Sequence, residues 1–335
     1  MAASALRAAN FTQEPACNTW EVCVQPEILV VGPMMPHVME TLERDYKVHR
    51  LWEAEDREAF LRQVGSNVRA IGTDGHRGAS AALMDALPKL EIIGCYGVGV
   101  DAIDLKHAAA REVIVTNTPN VLNEDVANLA IALMLATSRQ ICVGDRYVRD
   151  GLWLKGAMPL TRAIHGRRLG ILGLGRIGRL IGVKAEVFGC EIAYHGRNMQ
   201  ADCDYEYFAD LREMAAACDF LIVICPGGAA TRNIVNQEVL EALGPEGTLI
   251  NVARGSVVDE PALVAALQDG KLGAAGLDVF ADEPRVPEAL LSMDNVVLSP
   301  HQGSGTTETR RAMGDLVLEN LRAHFAGEKV PTPVG

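Results

Sequence analysis

The feature that most constrains this chain is an alternation of short β-rich runs with helix-period segments, which starts at Glu27, breaks once, and starts again. The first round places strands at Ile28–Val31, Lys47–Leu51, Ala70-Ile71, Ile92–Gly94 and Val113–Val115, separated by segments such as Ala79–Leu87, which Pro88 closes. Strand, helix, strand at this spacing leaves room for crossovers, and parallel strands need a crossover. This first α/β unit ends near Thr118-Pro119. A segment over Asn123–Arg139 is apolar almost all round and reads as a deeply buried helix, packed against a second subunit. After a Gly- and Pro-punctuated stretch, Gly151–Pro159, strands recur at Leu169–Leu172, Ile192–Tyr194, Phe220–Ile224, Leu249–Val252, Gly276–Val279 and Val296–Leu298. A last helix over Thr306–Phe325 lies beyond this second unit and can return to the first.

Composition agrees with two packed α/β domains. The 335 residues exceed one ordinary domain, and 49% hydrophobic with 22% charged residues excludes a disordered, collagenous or fibrous chain. No apolar run approaches the ~18 residues that cross a bilayer. A net charge of −12 disfavours non-specific nucleic-acid binding, so an anionic ligand needs a local positive site; with no spanning run, neither a nucleic-acid nor a membrane partner is expected. Eight cysteines without a CxxC, in a chain without a secretory apolar segment, read as reduced thiols of a cytoplasmic protein. The histidines show no metal-ligand spacing, so no metal is expected. Residues 1–26, Ala-rich and without periodicity, read as a solvated extension.

Gly173-Leu174-Gly175-Arg176-Ile177-Gly178 fits G-x-G-x-x-G, with an apolar strand leading in and a helix leading out. In a dinucleotide fold Gly173 permits the turn, Gly175 lets a pyrophosphate approach the backbone, and Gly178 lets helix and strand pack closely. The helix start supplies free N–H groups, and Arg176 adds a cation. The next strand runs into His195-Gly196-Arg197-Asn198, without the carboxylate that would hold a ribose 2′-OH. Arg197 can pair a 2′-phosphate there, which favours NADP(H) and leaves NAD(H) second.

Three further segments stand at strand ends: Asn251-Val252-Ala253-Arg254-Gly255, Asp278–Pro284 and Ser299-Pro300-His301-Gln302-Gly303. Singly, Arg254, Glu283 and His301 are ordinary loop residues; together beside a dinucleotide fold they make an acid–base set. With Gly97-Val98-Gly99-Val100-Asp101 and the glycine loop, these segments resemble the D-2-hydroxyacid dehydrogenase family from about Glu27 to the C-terminus. The turn at His195–Arg197 resembles its NADPH-dependent glyoxylate/hydroxypyruvate reductase branch.

The resemblance implies two Rossmann/flavodoxin-like parallel-sheet domains flanking a cleft: a substrate domain of 27–118 plus 302–335 and a dinucleotide-binding domain of 119–301, hinged near Thr118 and Ser299. It implies that Arg254 and the backbone of Val98 and Gly99 hold the carboxylate of a small 2-oxo acid. His301, fixed by Glu283 and kept as imidazolium, gives a proton to the developing alkoxide. Cys225 and Pro226 line the cofactor site, Cys225 as packing rather than nucleophile. Asp278 orients the carboxamide, Val252, Ala253 and Gly303 line the same region, and Thr231 approaches ribose or phosphate. Met34, Met35 and Trp153 can face substrate, while His76 reads as a solvated loop residue. The family also implies a homodimer through the long apolar helix and the loop after it. Two rival readings stand beside this one: a reductase of bulkier aryl-pyruvates, and a nucleotide-sensing corepressor on the same fold. Formate oxidation is disfavoured because Glu283 is present.

Overall fold

The computed structural model describes residues 25–334; the N-terminal extension, with Cys17 and Cys23, lies outside them apart from its last two residues. Two all-parallel sheets form. The first holds β1 (Glu27–Val30), β2 (Lys47–Arg50), β3 (Val68–Asp74), β4 (Ile92–Tyr96) and β5 (Ile114–Thr116), in the order β2-β1-β3-β4-β5. The second holds β6 (Arg168–Leu172), β7 (Glu191–His195), β8 (Glu206–Phe208), β9 (Phe220–Val223), β10 (Thr248–Asn251), β11 (Ala274–Leu277) and β12 (Val296–Leu298), in the order β12-β11-β10-β9-β6-β7-β8. The fold class is therefore α/β with two Rossmann-like domains, as the alternation predicts. The inner strands are buried on both faces, which is why they read as continuous apolar runs rather than as alternating ones, while the edge strands β2, β8 and β12 are only partly buried. The sequence does not announce β8: its Glu-Tyr-Phe is too short and too polar to register as a strand, and it lies at the sheet edge.

Register fixes where chemistry can occur. Leu172 pairs with both His195 and Val223, Asn251 with both Val223 and Leu277, and Leu277 with Leu298. The carboxyl ends of these strands therefore finish level, and their loops leave from one edge. The order of connections reverses between β6 and β9, and ligands of open α/β sheets sit outside the strand ends at such a point.

The helix Asn123–Ser138 starts without a side-chain cap and packs on β10, β11, β12 and the helix Arg176–Val187, so the chain itself takes up most of its apolar circumference. Ala132 stays exposed, and Leu129 and Leu135 are half-buried. A run of exposed large apolar side chains follows it, at Ile141, Val148, Trp153, Leu154 and Leu160, with others scattered elsewhere, such as Val183 and Val187. The helix Thr307–Phe325 returns to pack on β4 and on the helix Pro36–Asp45, placing Val317 and Leu321 against Gly94. Asp125 joins the two crossings, accepting the hydroxyls of Thr306 (2.5 Å) and Thr309 (2.6 Å). Among the described residues no single helix is long and apolar enough to cross a membrane.

Candidate active site

The glycine loop has the geometry a dinucleotide needs. Gly173 sits at φ +106°, and a Cβ on it would lie 2.7 Å from the Cys225 backbone. A Cβ on Gly178 would collide with the Gly173 carbonyl, so the helix Arg176–Val187 can approach β6 only with glycine there. A Cβ on Gly175 would meet nothing, and Gly175 caps the helix without a side-chain bond. Open space beside unsatisfied first-turn N–H groups fits a pyrophosphate. Arg176 is exposed at the mouth and Ile177 half-buried behind it.

After β7, His195 Nδ1 lies 2.9 Å from the Phe208 carbonyl, and Gly196 leads to the exposed Arg197 and Asn198. Gln200 ties this loop to the glycine turn through the Leu174 carbonyl (2.7 Å). The first carboxylate after β7, Asp202, is engaged by Arg179 at 2.7 Å.

The turn after β9 closes the floor. Cys225 is 8% exposed, and burial pushes its thiol up to about 11, which leaves it a packing residue beside Gly173. The Thr231 hydroxyl donates to the Pro226 carbonyl at 2.7 Å, so it is used in shaping this turn.

Three loops carry the acid–base set. Asn251 at the end of β10 ties its turn with both ends of its amide: Nδ2 donates to the Arg254 carbonyl (3.0 Å), and Oδ1 accepts the Ala253 N–H (3.1 Å). Val252 and Ala253 are buried beneath Arg254. A Cβ on Gly255 would collide with the Phe280 carbonyl, so this turn interlocks with the loop after β11. In that loop Glu283 accepts the Phe280 N–H at 3.0 Å, while Glu260 accepts the Ala281 N–H at 3.0 Å. The other Glu283 oxygen lies 2.7 Å from His301 Nδ1, leaving Nε2 as the free ring nitrogen. Burial alone would raise the Glu283 carboxyl, but the His301 contact, the Phe280 N–H and the nearby imidazoles outweigh it and hold it below its ordinary value.

His301 itself adopts φ +54°, a conformation few non-glycine residues take without being held there. The holder is Asp278, 1% exposed. Its backbone carbonyl accepts the His301 N–H (2.9 Å), and its carboxylate accepts the Ser299 hydroxyl (2.5 Å) and the N–H groups of Gln302 (2.6 Å) and Gly303 (2.8 Å). Burial pushes this carboxyl up, partly offset by those donors. The carboxylate thus braces the loop that presents His301, a task the sequence reading did not give it.

The opposite wall comes from the first sheet. After β4 the turn at Val98 and Gly99 is buttressed by Asn117, which donates to the Val98 carbonyl (2.9 Å). Among the described residues no hydrogen bond engages the Val98 or Gly99 N–H. Asp101, which sequence reasoning passed over as part of a motif, accepts from Arg254 Nε at 3.2 Å across the cleft. After β3, Asp74 accepts the N–H groups of His76 (2.9 Å) and Arg77 (2.7 Å), fixing a tight loop. His76 is not simply solvated: its Nδ1 stands 4.0 Å from the Glu283 oxygen that contacts His301, with the side chain 59% exposed. Met34 and Met35 pack against the core, and Trp153 stands exposed on the arm.

Residues 131–303 match the family of the D-isomer specific 2-hydroxyacid dehydrogenase, NAD binding domain. Hydroxyphenylpyruvate reductase of Plectranthus scutellarioides is 48% identical over 92% of this chain and 98% of its own length. Glyoxylate/hydroxypyruvate reductase A of Arabidopsis thaliana is 46% identical over the same shares. Among solved structures, the NADPH-dependent glyoxylate/hydroxypyruvate reductase from Sinorhizobium meliloti, in complex with NADP and malonate, superposes with TM-score 0.86 and 46% identity, covering 93% of this chain and 97% of that one.

Proposed function

This chain belongs to the D-isomer specific 2-hydroxyacid dehydrogenase family, enzymes that use NAD(P), and from that premise we propose that it uses NADPH to reduce small 2-oxo acids, glyoxylate and hydroxypyruvate foremost. The observation that carries the reading is the cross-cleft set: Arg254 beside the free N–H groups of Val98 and Gly99, and the Glu283–His301 pair on the interlocked neighbouring loop. The bound cofactor supplies hydride to C2. Arg254 and the two N–H groups hold the carboxylate, and His301 Nε2 delivers a proton to the oxygen that becomes alkoxide. Glu283 fixes the ring by its Nδ1.

NADPH is favoured over NADH because Arg197 is exposed beyond β7 while Asp202 is occupied by Arg179. We read 27–118 plus 302–335 as the substrate domain and 119–301 as the dinucleotide domain, closing on substrate to exclude water. The exposed apolar arm from Ile141 to Leu160 is read as the surface of a homodimer, which light scattering checks.

A second reading, reduction of aryl-pyruvates, is favoured by the 48% identity to a hydroxyphenylpyruvate reductase. NADPH oxidation with glyoxylate, hydroxypyruvate and 4-hydroxyphenylpyruvate separates the two: kcat/KM is expected to be highest on one of the small acids, and a clear preference for the aryl acid overturns that choice. Arg254→Ala is expected to lose both substrate affinity and turnover, and His301→Asn turnover with NADPH binding intact.

A further inference from the structure

We propose that Asp101 is a positioning residue that aims the Arg254 guanidinium from the opposite wall of the cleft. The inference rests on the reading of Arg254 as the grip on the substrate carboxylate. Arg254 Nε donates to Asp101 (3.2 Å) and Nη1 donates to the Ala253 carbonyl (2.7 Å), so two of the three nitrogens are fixed by the protein. The third, Nη2, is turned toward the Gly75 and Gly99 backbone: a Cβ on Gly99 would collide with it, and one on Gly75 would lie 3.3 Å away. Nη2 therefore lies beside the turn whose Val98 and Gly99 N–H groups are free.

The path of the pair is cleared on another side too. A Cβ on Gly227 would sit 2.9 Å from Arg254 Cγ and 3.0 Å from Asp101 Oδ2. Three segments, from both sheets, thus carry no side chain where this ion pair runs. The two side chains are only 27% and 22% exposed. The other nearby acids have partners of their own: Asp74 engages Arg77, and Glu283 engages His301. Asp101 is the carboxylate that faces Arg254.

Charge alone and positioning predict opposite signs. Removing a negative group beside an anion site should tighten anion binding; losing the aim of Arg254 should weaken it. A charge-assisted hydrogen bond of this kind corresponds to roughly a ten- to hundred-fold change. Oxalate, titrated into the NADPH-saturated protein by calorimetry, reads binding directly, and glyoxylate turnover reads catalysis. Asp101→Ala is expected to weaken oxalate about ten-fold or more and to lower kcat on glyoxylate, with NADPH affinity unchanged. Asp101→Asn, whose Oδ1 can still accept from Nε, should stay within about three-fold of wild type. In an Arg254→Ala background Asp101→Ala should add no further loss, since it acts through that residue. Tighter or unchanged oxalate binding by Asp101→Ala, or a full additional loss in the Arg254→Ala background, overturns the proposal while leaving the Arg254 reading intact. Unchanged oxalate binding and turnover in Arg254→Ala alone would overturn both.

Discussion

Replacing Asp278 by Asn tests whether this buried carboxylate serves the protein or the cofactor. Its two oxygens accept from Ser299, Gln302 and Gly303, with only 1% of the residue exposed. An amide keeps one oxygen, so in either orientation its NH2 faces at least one donor that no longer has an acceptor. Orphaning a buried donor of a charge-assisted bond costs about 1.5–3 kcal/mol. Part of this is offset, because burial raises the Asp278 carboxyl and so penalises the charge that the variant removes. A net loss of about 1–2 kcal/mol remains, or roughly 3–6 °C in the unfolding midpoint of a domain this size. The loop that holds His301 at φ +54° should relax, lowering kcat about ten-fold, while KM for NADPH barely moves. Thermal unfolding followed by circular dichroism, together with steady-state kinetics in both NADPH and glyoxylate, provides the readout. If the carboxylate instead orients the carboxamide, as the family resemblance implies, Asp278→Asn would unfold at the wild-type temperature and show a raised KM for NADPH. That pair of results would refute the brace.

Arg197→Ala should raise KM for NADPH about ten-fold or more and leave KM for NADH within about two-fold, since one charge-assisted contact to the 2′-phosphate is lost; equal effects on the two cofactors would remove the basis for NADPH preference. Glu283 has a depressed carboxyl, so its contribution to stability is present above the ordinary carboxylate value of 4.5 and is lost as pH falls through the lower folded value. The unfolding-temperature advantage of wild type over Glu283→Gln should therefore shrink below pH 4.5, and a gap independent of pH would contradict the ion pair. Raising salt from about 0.05 to 0.5 M should raise KM for NADPH several-fold through screening of exposed Arg176 and Arg197, but change KM for glyoxylate little; the reverse order would refute the assignment of these cations.

Most of the architecture was legible because fully buried strands such as Leu29-Val30, Leu169–Leu172 and Leu249-Ile250 must be apolar throughout, and glycines such as Gly173 and Gly178 are required by backbone approach. Where neither constraint acts, sequence was silent: β8 lies at an edge and needs no apolar run. The apolar girth of Asn123–Ser138 was legible, but not what covers it, since a sheet of the same chain and a second subunit ask for the same side chains. In the site, Arg254, Glu283 and His301 stood out because each sits beside a strand-ending turn. Asp278 was noticed but given to the cofactor, because a carboxylate at a strand end looks the same whether it faces a ligand or its own backbone. His76 lies far from Glu283 in sequence, and only the packing of Gly75 on Gly99 brings it to the cleft.

On the proposed reading, a chain of net charge −12 takes anions at this place, and the arrangement of acids accounts for it. At the substrate end the donors face carboxylates from other segments: Arg254 meets Asp101 across the cleft, and the His301 ring meets Glu283 across a loop. The Arg254–Asp101 pair nearly cancels at a distance, so it exerts little long-range pull on an anion. What remains at short range is direction: an Nη2 with no acceptor of its own among the described residues, two free backbone N–H groups, and a ring nitrogen turned away from its carboxylate. On the proposed reading, recognition at that end depends on a planar 2-oxo acid fitting fixed donors. The dinucleotide end is built the other way, with Arg176 and Arg197 exposed around a helix start, where net positive charge can draw phosphates in before any fit is made.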